Sequence, residues 1–549
     1  MVAVRPSLQD SAGTIRQMTA AHAEKRPDFL VIVVDDMGWS DLACFGGEAD
    51  TPNLDALVAR GMRLTNFHTS PLCSTTRAML MTGCDHHEVG MGTMAEIRTP
   101  EQTGKPGYEG YLTDRAATIA ERLRDAGYRT MMAGKWHLGA EAPFRSMPRA
   151  RGFEHSWALM QGEHNHYGAD QTPATASTHG ESRYRCNDEA VMFPVGAYST
   201  DFFADRLIEF VEGGRDDVRP RFSYLAFTAP HSPLHAPEEL VEKYRGLYED
   251  GPEALRVKRL ARMRELGLAA GSMRPAEIRG GVPWETIAPE QQRIESRKME
   301  VYAAMIHAMD SAVGRVIESI RKSGRLDNTV ILFMSDNGPS GTLREVTPPW
   351  RDWIAANADN RLDNIGRASS YTSIGPRWAQ AQSAPFFLFK RYTSEGGVRT
   401  CAFACGPGIP IRGESQAFLH VMDVAPTLLD LAGIDRAPPA GKLPMRGISV
   451  TSVLRGECDE VHASDERIAW ELAYGRGVKK GDWKAIYLPA VIHNIAPEVP
   501  AKRWLLFNLA SDPGETTDLA AAEPHKLKEL IDEWFAYARE TGVVLPPEH

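Results

Sequence analysis

Residues 28–38 read DFLVIVVDDMG: a short run of large and β-branched apolar residues that stops on two aspartates and a Met-Gly turn. A run apolar at nearly every position has no polar face to offer water. It reads as a strand buried on both sides, the pattern of a parallel sheet covered by helices, with Asp35 and Asp36 at its carboxyl end. TPNLDALVARG follows at 51–61, a helix with Thr51 as N-cap, Pro52 at the first helical position and Gly61 at the exit.

The same alternation continues along the chain. ATIAERLRDAGYRTMMAGKWHLG (117–139) reads as helix, glycine stop, strand and loop. RFSYLAFTAPHSPLHAP (221–237) and NTVILFMSDNGPSG (328–341) read as further strands ending in polar loops. Alternating strands and helices predict an α/β domain, a large doubly wound mixed sheet flanked by helices, over residues 28–435. Residues 1–27 form an N-terminal segment. Two insertions are expected inside the domain, 238–300 charge-rich and mostly helical, 341–383 loop-like and carrying Trp350, Trp353, Tyr371 and Trp378. HVMDVAPTLLDLAGI (420–434) closes it, and a Pro/Gly-rich stretch leads into a smaller C-terminal α+β unit, an antiparallel sheet plus helix, over 436–549.

Composition narrows the function classes. The 549 residues carry a net charge of −10 with acids and bases interspersed, so no basic stripe exists for nucleic acid. No stretch approaches the roughly 20 apolar residues of a membrane span. Seven cysteines, an odd number without paired zinc spacing, fit a reduced, cytoplasmic protein, expected to be a monomer. No glycine-rich phosphate loop follows the first strand, which argues against a nucleotide-binding oxidoreductase.

The candidate chemistry gathers at predicted strand ends. Asp35 and Asp36 close one strand, Asp336 and Asn337 another. Oxygen-only ligands of this kind favour a hard cation, calcium or magnesium, over zinc. Either pair alone reads more readily as helix caps; two such corners in one α/β chain favour a shared ion. GKWHLG sets Lys135 and His137 two apart, on one face if the strand continues. His231 follows another strand, and Lys390 follows the apolar run of APFFLFKRYTSEGG. His155 and His235 read as satisfied structural residues, whereas His164 and His166 are candidates to line a pocket.

Cys73, in SPLCSTTRAMLMTG (70–83), stands at the mouth of a predicted helix, where backbone N–H groups favour anions, with Arg77 one turn on. From the residues alone it reads either as a small buried hydrophobe or as a low-pKa nucleophile.

VVDDMGWSDLACFGG, TPNLDALVARGMRLTNFH, CSTTRAMLMTG, GKWHLG, FTAPHSPL, FMSDNG, FKRYTSEGG and GDWKAIY together resemble the type I sulfatases, most closely the bacterial arylsulfatases. The resemblance spans almost the whole chain. It implies an alkaline-phosphatase-like fold, oxidation of Cys73 to Cα-formylglycine by a maturation enzyme, and a small-molecule sulfate ester as substrate. It implies Asp35, Asp36, Asp336, Asn337 and the modified Cys73 as ligands of calcium, with magnesium the alternative. Arg77 would steady the aldehyde hydrate, Lys135 and Lys390 hold the sulfate oxygens, His137 bond the hydrate and His231 stand near the leaving oxygen. One hydroxyl of the hydrate then attacks sulfur, and the second lets sulfate leave without water attacking sulfur again. The family motif has proline where this chain has Thr75, so conversion of Cys73 is expected to need a tolerant maturation system. A phosphodiester or phosphonate monoester hydrolase on the same site, or a sulfate-ester binder with unmodified Cys73, are the alternative expectations.

Overall fold

A computed structural model describes residues 26–139, 144–169, 183–348, 350–489 and 502–546. Its centre is a ten-stranded mixed sheet. Five neighbouring strands run parallel, in the order Thr329–Ser335 (β4), Asp28–Val34 (β1), Arg221–Ala226 (β3), Arg129–Lys135 (β2) and His155–Leu159. Antiparallel strands extend it on both sides.

Along β1, Leu30, Ile32 and Val34 enter one core while Phe29, Val31 and Val33 enter the other. Both faces are therefore covered, as the unbroken apolar run requires. The 34-residue helix Pro289–Lys322 (α2) packs on the first face, and the helix Cys73–Thr82 (α1) on the second. β1 to β4 end along one edge of the sheet, and the polar residues that follow them meet there.

Two local expectations change. Thr51 makes no side-chain cap for the helix Pro52–Ala59; its hydroxyl donates to Asp55 instead. The capping carboxylate comes from buried Asp310 in α2, which accepts from the backbone N–H groups of Asn53 (3.2 Å) and Leu54 (2.8 Å). Gly61 stands at the exit of the helix Pro52–Ala59, as expected, and opens the strand Gly61–Leu64. The stretch 341–383, expected as loop, contains the helices Trp350–Asn357 and Gly375–Gln382.

The C-terminal unit is an antiparallel sheet of Arg467–Leu472, Gly475–Lys480, Trp483–Tyr487 and Trp504–Asn508, with the helix Pro524–Thr541 on one face. It docks on the large domain through two buried ionic clusters. In one, Lys484 Nζ lies 2.6 Å from Glu395 and 3.2 Å from Glu515, and His68 approaches the other Glu395 oxygen at 3.1 Å. In the other, His87 bridges Asp85 (2.8 Å) and Glu471 (3.0 Å), with the Tyr537 hydroxyl donating to Asp85. Between them Leu472 packs on Leu72 and Cys73, at the start of α1.

Candidate active site

Neighbouring side chains on a strand point to opposite faces, so Asp35 and Asp36 converge only because β1 has ended. Asp36 adopts φ +67°, a left-handed conformation costly for a non-glycine residue. Its backbone N–H faces an Asp336 oxygen at 3.3 Å, and the Met37 N–H bonds the Ser335 hydroxyl at 3.0 Å, which joins the ends of β1 and β4.

Three buried carboxylates then meet three cations. Lys135 donates to Asp35 Oδ2 at 2.6 Å, and Lys390 donates to Asp36 Oδ1. Arg77 clasps Asp336 Oδ2 through Nε (3.0 Å) and Nη2 (2.7 Å), and its third nitrogen donates to the Lys135 carbonyl. Asn337 donates its amide to Asp36 Oδ1 at 2.7 Å. Burial resists the charge on Asp36, but Lys390 and His231 outweigh it and hold the carboxyl below the ordinary range. Asp336 moves the other way, to about 6, because burial and Asp35 prevail over Arg77.

Asp35 Oδ1, Asp36 Oδ2 and Asn337 Oδ1 are buried and accept no hydrogen bond. Leaving such acceptors unsatisfied is costly, and three oxygens of this kind in one pocket suit a hard divalent cation. Asp35 and Asp336 also offer oxygens within 4.8 Å of the Cys73 sulfur.

Cys73 is the first residue of α1 and is almost wholly buried. Burial pushes its thiol above the ordinary value despite Lys135 and Lys390, so at neutral pH it is not an activated thiolate. His137 Nδ1 lies 3.4 Å from its sulfur. The strand alternation expected for Lys135 and His137 does not hold: β2 stops at Lys135, and His137 reaches the site through a left-handed turn at φ +52°. Burial, then Lys135 and Arg77, keeps the His137 ring neutral. His231 donates from Nδ1 to the Ser232 carbonyl (2.6 Å) when that nitrogen carries the proton, leaving Nε2 facing Asp36 at 3.4 Å. Burial pulls its pKa down to about 3, with Lys390 and Lys135 opposing Asp36.

All ten residues singled out for catalysis or metal binding thus lie at one edge of the sheet. His164 and His166 do not line the cavity; His164 is bonded to Tyr184 and Thr228, and His166 to Ser199 and the His231 carbonyl. His235 bonds the Ser370 carbonyl. Of the four aromatics expected near a leaving group, Trp350 lines the cavity, Trp353 meets Tyr371 edge to face, and Trp378 is buried against Trp284.

A cavity of about 280 Å³ opens over Cys73, walled by Met94, Ile97, Pro348 and Trp350. Its polar lining includes residues not anticipated from sequence: Glu96, Glu163, Arg344 and Arg391. Gly162 was also unforeseen. A Cβ there would stand 2.7 Å from the His137 ring, so the glycine allows the ring its position. Gly162→Ala is expected to displace the ring and lower kcat roughly 10- to 100-fold with little change in thermal stability, as steady-state assay and melting curves together will show.

The model of the family described as Sulfatase matches residues 27–434. The chain belongs to the sulfatase family. This sulfatase is 41% identical over 545 residues to an uncharacterised sulfatase of Schizosaccharomyces pombe, covering 95% of each chain. It is 40% identical over 444 residues to an arylsulfatase of Klebsiella aerogenes, covering 79% of this chain and 93% of the relative. Among solved structures, Ps i-CgsB superposes with a TM-score of 0.65 at 22% identity, over 94% of this chain and 93% of that one. A sulfatase of Bacteroides fragilis gives 0.63 at 20%, over 94% and 96%. The sulfatase is accordingly a sulfuric ester hydrolase, and its two-part architecture is the family's.

Proposed function

We propose that this sulfatase is an arylsulfatase that cleaves sulfate monoesters to a phenol or alcohol and inorganic sulfate, using a hydrated formylglycine made from Cys73 together with a divalent cation, calcium by preference. The observation that carries the reading is the surroundings of Cys73: a buried, protonated thiol, poor as a nucleophile, beside His137 and facing unsatisfied carboxylate oxygens.

Asp35, Asp36, Asp336 and Asn337 would hold the cation. When bound, such an ion neutralises charge on sulfuryl oxygens and eases deprotonation of a nearby hydroxyl. Oxidation of Cys73 to the aldehyde, followed by hydration, supplies two hydroxyls where the thiol supplies none. Asp336, whose carboxylate lies beside the Cys73 position, suits removal of a proton from the attacking hydroxyl. His137, neutral and 3.4 Å from the sulfur position, suits removal of the other as sulfate departs. Lys390, on the cavity wall, is available to the transferring group, and His231 to the leaving oxygen. The apolar wall with Trp350 favours aryl over strongly hydrated leaving groups.

The deciding experiment is the mass of the proteolytic peptide containing Cys73, from protein made in its native host, alongside turnover of 4-nitrophenyl sulfate. Conversion of thiol to aldehyde lowers the mass by about 18 Da, sulfur and two hydrogens being lost and one oxygen gained. Active protein whose peptide carries only thiol would overturn the mechanism. Stripping divalent cations with a chelator is expected to lower turnover roughly tenfold or more, with calcium restoring it. Undiminished turnover in protein shown metal-free by elemental analysis would remove the cation from the reaction.

A further inference from the structure

The cations of the site are nearly all engaged. Lys135 and Lys390 face Asp35 and Asp36, Arg77 clasps Asp336, and Arg344, across the cavity, is bound to Glu163 at 2.6 Å while its guanidinium lies over the Trp350 ring. Arg391 is different. Its side chain lines the same cavity as Cys73, and among the described residues it makes no ion pair and no side-chain hydrogen bond. Of the two carboxylates on the wall, Glu163 is taken by Arg344 and Glu96 stands 4.0 Å from His137.

The backbone makes the placement more specific. Arg391 sits at φ +77°, a conformation that suits glycine and is costly for other residues. Its N–H donates to the Pro71 carbonyl at 2.8 Å, which pins the turn to the segment leading into Cys73. An arginine thus stands where a glycine would be cheaper, on the wall of the cavity over Cys73. Burial, with Arg344 nearby, works against its charge, so an anion beside it relieves an existing cost.

Resting on the sulfatase reading above, we infer that Arg391 is a specificity residue, which pairs with a carboxylate carried by the aromatic leaving group while Trp350, Met94 and Ile97 pack on its ring. The preferred substrates are then aryl sulfates bearing a second, carboxylate charge, held by a planar fork that matches carboxylate geometry.

The test compares 3- and 4-sulfooxybenzoate with the corresponding sulfooxybenzamides, which keep the ring and remove the charge. For wild type, the better benzoate isomer is expected to exceed its amide in kcat/KM. Arg391→Met is expected to lower that benzoate-to-amide ratio about tenfold or more, and Arg391→Lys to restore part of it. Binding of the same four esters to Cys73→Ser protein, by calorimetry, reads the preference without any need for turnover. A ratio unchanged by Arg391→Met in both measurements overturns the inference. If 4-nitrophenyl sulfate is still hydrolysed, the sulfatase reading stands without it; if no sulfate ester is turned over or bound by wild type, both fall.

Discussion

Cys73→Ala protein is expected to fold and to lose sulfate-ester turnover by roughly ten-thousand-fold or more, the scale on which removal of a nucleophile acts. The sulfur touches Leu72, Leu472 and the His137 ring, so its deletion opens a small cavity worth about 1 kcal/mol at most. The carboxylates, lysines and Arg77 keep their mutual bonds, because none of those bonds passes through Cys73. Circular dichroism and melting temperature should therefore stay near wild type while 4-nitrophenyl sulfate turnover vanishes. Retained activity in the purified variant would mean that another group attacks sulfur.

The second large effect is on stability. Lys484→Met removes the lysine that lies between Glu395 and Glu515, both fully buried with their oxygens 2.6 and 3.2 Å from its ammonium. Truncating one partner of such a buried cluster costs about 3–5 kcal/mol, because the charge left behind has no water to turn to. In wild type, burial opposes ionisation of Glu395, but Lys484 and His68 hold its carboxyl well below the ordinary range. That depressed value contributes stability above the unfolded pKa and loses it as pH falls. Burial and the neighbouring Glu395 meanwhile lift Glu515 to about 7. Without Lys484 the pair shares protons readily in acid and poorly above pH 7. The deficit, measured by denaturant unfolding, should therefore be larger at pH 8 than at pH 5. An equal loss at both would show that packing of the lysine stem, not its charge, is what matters.

The parts of the site legible in sequence are those that end strands. DD after an apolar run, DN after another and the lysine of GKW announce themselves because chemistry and secondary structure change at the same residue. What escaped reading depends on contacts between distant segments. Asp310 replaces Thr51 as a helix cap from more than 250 residues away. Gly162 matters only through the His137 ring, and Arg391 only through a backbone angle no spacing rule encodes. His137 reaches the site through a left-handed turn, a geometry that its two-residue spacing from Lys135 does not encode. The helices inside 341–383 lacked a long apolar period and so read as loop.

Every residue of α1 is buried, and the small domain lays Leu472 over its first turn. The finished molecule consequently offers no approach to Cys73 for anything as large as another protein. On the reading proposed for Cys73, enzymatic conversion of that sulfur falls between synthesis and docking of the last sheet. On that reading the chain's final shape is also a record of timing: a copy that closes too early would keep its thiol, out of reach of the catalyst that matures it.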